Sequence, residues 1–185
     1  MRTEDPQRRA VSSVQLHAHN FRRVPIEGSN PDLRIAQSLA WFRERLYVGL
    51  GRGPLRPRDT AGRAGGESQP GGAQMLCFDP AVETWECVYR SPKIDVPGGQ
   101  VPRDRSVRAA TVARTAADAE PALYVGVGGT STNVNVYRSP DGLAFEACGE
   151  AGLGLGGDVA SMRSLVPWRG RLYTAPLGMN HGPNG

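Results

Sequence analysis

"SLAWFRERLYVG", residues 38–49, aligns without a gap on "SLVPWRGRLYTA", residues 164–175. Ser38 falls on Ser164, Leu39 on Leu165, Arg43 on Arg169, Arg45 on Arg171, Leu46 on Leu172 and Tyr47 on Tyr173. Between them, "RAATVARTAADAEPALYVGVGG" (108–129) is a third copy, with Leu123 and Tyr124 in the Leu-Tyr place after a slightly longer turn. Each copy opens on an apolar segment (Ser38 to Phe42, Ala109 to Ala113, Ser164 to Trp168), passes through a charged turn and continues into a Leu-Tyr segment. Period-two alternation with β-branched and aromatic residues on either side of a turn predicts a β-hairpin. Self-similarity along a chain points to a repeated structural unit.

Two of the copies are followed by a second hairpin pattern. "QMLCFDPAVETWECVYR" (74–90) and "VNVYRSPDGLAFEACG" (134–149) align with Asp79 on Ser139, Trp85 on Phe145 and Glu86 on Glu146. Pro140-Asp141-Gly142 supplies a turn, the proline presetting φ and the glycine closing it. The aromatic after each turn, Trp85 or Phe145, is expected to pack one sheet on the next. "VYRSP" occurs at both 88–92 and 136–140, but the two are not equivalent: the first ends a fourth strand and the second a third. Two hairpins in succession predict a four-stranded antiparallel meander that must stack on neighbours of its own kind.

These residues resemble the kelch repeat and, more broadly, the galactose-oxidase-like and sialidase-like β-propellers. The resemblance rests on "LYVGVGG" with Gly128-Gly129, on "VNVYRS" and on the turn leading to Phe145, with "FDPAVETW" (78–85) as the first-copy counterpart. "SPDGLAF" (139–145) is similar to the sialidase Asp-box, but it lacks one residue before the glycine and has Phe for Trp. The implied fold is all-β, a partial β-propeller of four-stranded antiparallel blades. The expected layout is an N-terminal segment over 1–33, partly extended or flexible, and kelch-like blades over 34–185. Blade one spans 34–89 with an insertion at 52–73, blade two spans 108–148, and half of blade three spans 163–185. That is about two and a half blades, where a closed ring has ~4 to 8. Neither the copper ligands of the oxidases nor the arginine triad and tyrosine nucleophile of the sialidases has a matching motif, so no catalytic residue and no cofactor is carried over.

Composition agrees with this architecture: 24 Gly and 15 Pro punctuate the 185 residues too densely for long helices. The formal charge of +4 comes almost wholly from dispersed arginines interleaved with Asp and Glu, as in "PRDRSVR", and Lys93 is the only lysine. Without a run of like charges, no nucleic-acid partner is expected. No window is apolar enough for a membrane span and the N-terminus has no secretory pattern, so a cytoplasmic protein is expected. Cys77, Cys87 and Cys148 lack CxxC spacing, which argues against a disulfide framework or structural zinc.

In such blades the loops between strands two and three and those between blades share one face. Here they are the long ones, 52–73, 91–107 and 149–160, and ligand contacts concentrate on long loops of a rigid scaffold. Asp32, Asp104 and Asp158 each precede an innermost strand, followed by Gln37, Arg108 and Arg163. Asp104, Arg108, Asp158 and Arg163 are the candidate ligand-binding residues, for a polar, anionic or sugar-like ligand; the competing reading is that they cap turns and pair between blades. His17 and His19 would share one side of a strand, but two ligands do not make a metal site. The expected function is a ligand- or protein-binding scaffold, with a glycan-processing or oxidoreductase enzyme whose catalytic blades lie elsewhere as the alternative. A third reading has open blade edges pairing between copies.

Overall fold

The two gapless copies fold alike down to the turn residues. The computed structural model describes residues 17–29, 33, 35–51, 72–97, 99–129, 134–154 and 159–178. The first copy is β1 (Ile35–Phe42) and β2 (Arg45–Gly51), paired from Phe42↔Arg45 outward. The last copy contains β12 (Val166–Trp168) and β13 (Arg171–Tyr173), paired from Trp168↔Arg171. Both two-residue turns place both central residues in the left-handed region: Arg43 (φ 47°) with Glu44 (φ 61°), and Arg169 (φ 47°) with Gly170 (φ 72°). Positive φ at both positions is the type I′ requirement, whose twist matches that of the flanking strands.

The first unit is the expected meander. β3 (Gln74–Asp79) pairs with β2, and β4 (Thr84–Arg90) with β3, all antiparallel. The second unit repeats it with β7 (Asp104–Ala113), β8 (Ala122–Gly129), β9 (Asn135–Ser139) and a two-residue β10 (Glu146–Ala147). The third unit extends its hairpin by β11 (Val159–Met162) paired with β14 (Pro176–Gly178). Three features depart from the expected layout. The first two meanders are not separate sheets: Gly51 pairs with Ser106, joining eight strands into one open, curled sheet. The segment 91–107, read as a loop, holds a hairpin of β5 (Lys93–Val96) and β6 (Gly99–Pro102). The second unit begins at Asp104 rather than Arg108, and the third at Val159 rather than Arg163.

Glycines at equivalent positions let the units stack. Gly49 and Gly126 occupy the same place in the first and second copies, each opposite the small residue that starts the apolar segment: Ser38↔Gly49 and Ala109↔Gly126. A Cβ on Gly49 would lie 2.8 Å from Val107 Cβ of the second unit, and one on Gly126 would strike the Met162 thioether of the third. Val107 and Met162 are themselves equivalent, each two residues before the aligned Ala109 or Ser164. The same strand therefore crosses the same glycine at both junctions.

The core divides between these junctions. Phe42, Tyr47, Met75 and Cys77 of the first unit pack on Val107, Leu123, Val125, Val127 and Tyr137 of the second. Ala109, Ala113, Tyr124 and Val134 pack on Met162 and Leu165 of the third. Phe145 crosses the first junction as expected, meeting Tyr89 edge-on at 5.8 Å. Trp85 does not bridge two units. It packs on Phe78 at 4.9 Å, and its indole donates to the Pro25 carbonyl at 2.8 Å, because the N-terminal segment lies against that side of the first meander. Leu33 completes that cover, buried with Val48, Leu50 and Leu76.

Candidate functional site

The segment "PRDRSVR" (102–108) runs from β6 into β7 at the end of the sheet from which the long loops leave. Register shifts between Asp104 and Ser106, and again between Val107 and Ala109, interrupt strict alternation in β7. Such irregularities re-aim side chains. As a result Asp104, Ser106 and Val107 are buried, while Arg105 and Arg108 are half-exposed.

Asp104 is wholly buried at the first junction. Its carboxylate accepts from the Tyr89 hydroxyl at 2.5 Å and from Arg103 Nη2 at 2.9 Å, and its backbone N–H donates to Ser91 Oγ at 2.7 Å. Arg103 also donates to the Tyr137 hydroxyl, and its guanidinium lies 5.3 Å from that ring's centroid. The tyrosines meet at 5.6 Å. Burial would lower the Arg103 pKa, but hydrogen bonding and charge from Asp104 outweigh it and hold the group above its ordinary value. Burial, reinforced by the Asp104 charge, pushes the Tyr89 phenol well above its usual range. This is an ion pair with a fully buried carboxylate and a partly exposed guanidinium, the carboxylate bonded also to the Tyr89 phenol and the guanidinium to that of Tyr137, the condition under which a buried charge is tolerated.

Arg108 lies apart from that network. Its Nε donates to Ser106 Oγ at 3.0 Å. Burial, then the positive charges of Arg163 and Arg105, lower its pKa from the usual arginine value. Arg163 is exposed, between β11 and β12. The structure thus places Arg108 within electrostatic reach of Arg163 and Arg105, and pairs Asp104 with Arg103 instead. Asp158, Asp32 and residues 52–71 of the insertion lie outside the described residues, as does His181.

A second buried carboxylate sits at the opposite end of the second unit. Asp118 accepts from Tyr124 Oη at 2.5 Å, Thr115 Oγ1 at 2.7 Å, the Thr115 backbone N–H at 2.8 Å and Arg138 Nε at 2.5 Å. Burial alone would raise its pKa, but the hydrogen bonds from Tyr124, Thr115 and Arg138 win and hold the carboxyl well below the usual range. All its partners belong to one hairpin loop and the adjacent strand, so Asp118 is a structural clamp. In the "SPDG" turn, Ser139 Oγ accepts the Gly142 N–H at 2.8 Å, and Asp141 Oδ1 accepts those of Leu143 (2.8 Å) and Ala144 (3.0 Å). Asp79 does the same for Ala81 at 2.9 Å, so the aligned Asp79 and Ser139 both cap their turns.

His17 and His19 do not share one side of a strand: Ala18–Asn20 forms a 3-10 turn, and the two rings stack at 5.4 Å. Among the described residues, no three His, Cys, Asp or Glu side chains gather as a metal-ligand set, and no helix is long and apolar enough to cross a membrane. A cleft of about 340 Å³ opens beside the second junction, lined by Val136, Cys148, Gly149, Glu150, Leu153 and Gly154. The residues that sequence reasoning did not single out are Arg103, Arg105, Tyr89 and Tyr137. Their signals were the charged run "PRDRSVR" and the tyrosine repeated in "VYRSP". No family model, curated protein or solved structure matches the chain.

Proposed function

We propose that the three units are kelch-like propeller blades and that the chain is a non-catalytic binding scaffold. Its ligand is a polar, anionic or sugar-like group, presented by a small molecule, a glycan or a protein to the long-loop face. The observation that carries this reading is Arg108, half-buried in β7 of the second unit, within electrostatic reach of Arg163 of the third, so that burial and then neighbouring positive charge lower its pKa. Like charges held together in a partly desolvated place cost stability. A carboxylate or sulfate binding between them would relieve that cost, and the planar guanidinium fork suits either group. Glycine-mediated stacking of successive meanders supports the propeller reading, since the same strand crosses the same glycine at both junctions.

The test uses an array of uronic-acid and sulfated oligosaccharides, with neutral counterparts, followed by calorimetry on the strongest binder. Salt-sensitive binding to acidic glycans is expected, falling by more than about tenfold when Arg108→Ala and Arg163→Ala are combined. Binding unchanged in the double variant, or equal for neutral and acidic sugars, overturns the reading.

A further inference from the structure

The third unit turns to solvent the face that the first two units bury. Val166, Trp168 and Tyr173 are 54%, 55% and 45% exposed, whereas Phe42 and Tyr47, the equivalents of Trp168 and Tyr173, are 6% and 1% exposed beneath the second unit. The exposed pair is arranged like the covered one. Trp168 and Tyr173 meet at 5.9 Å, and Phe42 and Tyr47 at 6.2 Å. The turn arginine lies over the first ring in both, Arg169 at 4.5 Å and Arg43 at 5.5 Å.

At the other end of the molecule, Leu39 and Trp41 on β1 are 62% and 59% exposed. Their second-unit equivalents, Ala110 and Val112, pack into the first junction. The outer part of this backward face is covered by Leu33 and Pro25, and among the described residues the inner strand's apolar side is left open. The third unit's described residues form a single hairpin, which matches that inner strip.

We propose that a second copy of this chain docks here head to tail, the first unit's Leu39 and Trp41 seating on the partner's Val166, Trp168 and Tyr173. Residue sizes at the crossing point favour this occupant. Within the chain, Val107 crosses Gly49 and Met162 crosses Gly126. The third copy has Ala175 where the others have glycine, and the first copy has Ala36 where the others have Val107 and Met162. The larger crossed residue would thus meet the smallest crossing one, and both alanines are exposed. One step along, the bridge pair Gly51 and Ser106 becomes Leu177 and Ile35, so the backbone bridge of the first junction is not reproduced. Among the described residues the second junction has none either, since β11 pairs there only with β14. The contact therefore rests on apolar faces. A heterologous interface of this kind leaves both partners' opposite ends available, so it closes into a ring or extends into a filament.

The experiment is complementation between surface variants of the full chain. Sedimentation should show concentration-dependent self-association that Trp168→Asp or Trp41→Asp each weakens by more than about tenfold, as loss of an aromatic anchor does. Both positions are exposed, and unchanged circular dichroism will establish that the variants fold. Mixing the two variants should restore association, because one intact interface forms between the good forward face of one and the good backward face of the other. In a Cys148→Ser background, a disulfide-linked dimer should form when Ala36→Cys and Ala175→Cys chains are mixed, and not from either alone. A monodisperse monomer, or variants that fail to complement, overturns the proposal.

Discussion

The two junctions between units use one rule and reach different degrees of closure. At the first, a complete meander covers its predecessor: Met75 and Tyr47 are buried, and the Gly142 turn of the second unit packs on the Tyr47 ring. The rim is sealed by Asp104 and Arg103 with their tyrosines. At the second, Met162 and Leu165 bury the inner strands, while Val136 and Cys148 face the cleft. Tyr124, equivalent to Tyr47, is held by Asp118, and among the described residues no turn of the third unit lies on its ring. The glycine crossing brings the units together at both places.

The largest expected effect breaks the seal of the first junction. Asp104→Ala should cost about 2 to 4 kcal/mol in chemical unfolding, because the Tyr89 hydroxyl and the Arg103 guanidinium both lose a charged hydrogen-bond acceptor. A cost below about 1 kcal/mol would mean that the buried pair does not hold the units together.

Next comes the crossing itself. Gly49→Ala should destabilise by about 1 to 3 kcal/mol, since the new methyl meets the branched Val107 side chain and the Ser38 hydroxyl. Gly126→Ala should cost less, because the flexible end of Met162 can move aside. Equal costs would remove the distinction between a rigid junction and a compliant one.

Asp118→Asn probes the clamp that holds Tyr124 at the second junction. The folded carboxyl is held below its unfolded pKa, so its contribution is fully present above ~4 and is lost as pH falls through the lower folded value. The variant should cost about 1 to 3 kcal/mol at pH ~7 and progressively less below ~4. A pH-independent difference would contradict the assignment.

Cysteine labelling sharpens the contrast with no cost in stability. Cys148 is exposed and Cys77 is buried. A maleimide should modify Cys148 in the native protein and Cys77 only on unfolding; comparable rates would show the first junction to be open.

Much of this was legible in the chain because hairpins are local. The gapless match of 38–49 to 164–175 fixed strands and turns together, and Arg43 and Arg169 share both their place and their backbone conformation. The β5–β6 hairpin was hidden by a Pro-Gly pair read as loop punctuation, although Ile94, Val96 and Val101 flank it as strand residues do. The candidate site was legible only in part. Asp104 and Arg108 were located at the start of a strand, but β7 register shifts send one inward and leave the other half-exposed. The partners of Asp104 are set by tertiary packing: Tyr89 and Ser91 arrive from the preceding strand and connection, and no spacing rule pairs them with it.

Each unit is held by the next across a glycine that one defined side chain crosses. A double-mutant cycle at Gly49 and Val107 tests it most directly. Val107→Gly will lose buried contacts and Gly49→Ala will clash; because the new methyl meets Ser38 Oγ as well as the Val107 Cβ and Cγ1, the cycle is run in a Ser38→Ala background. The double variant should be more stable than the sum of the two losses, by a coupling of about 0.5 to 3 kcal/mol. Strictly additive losses would contradict it.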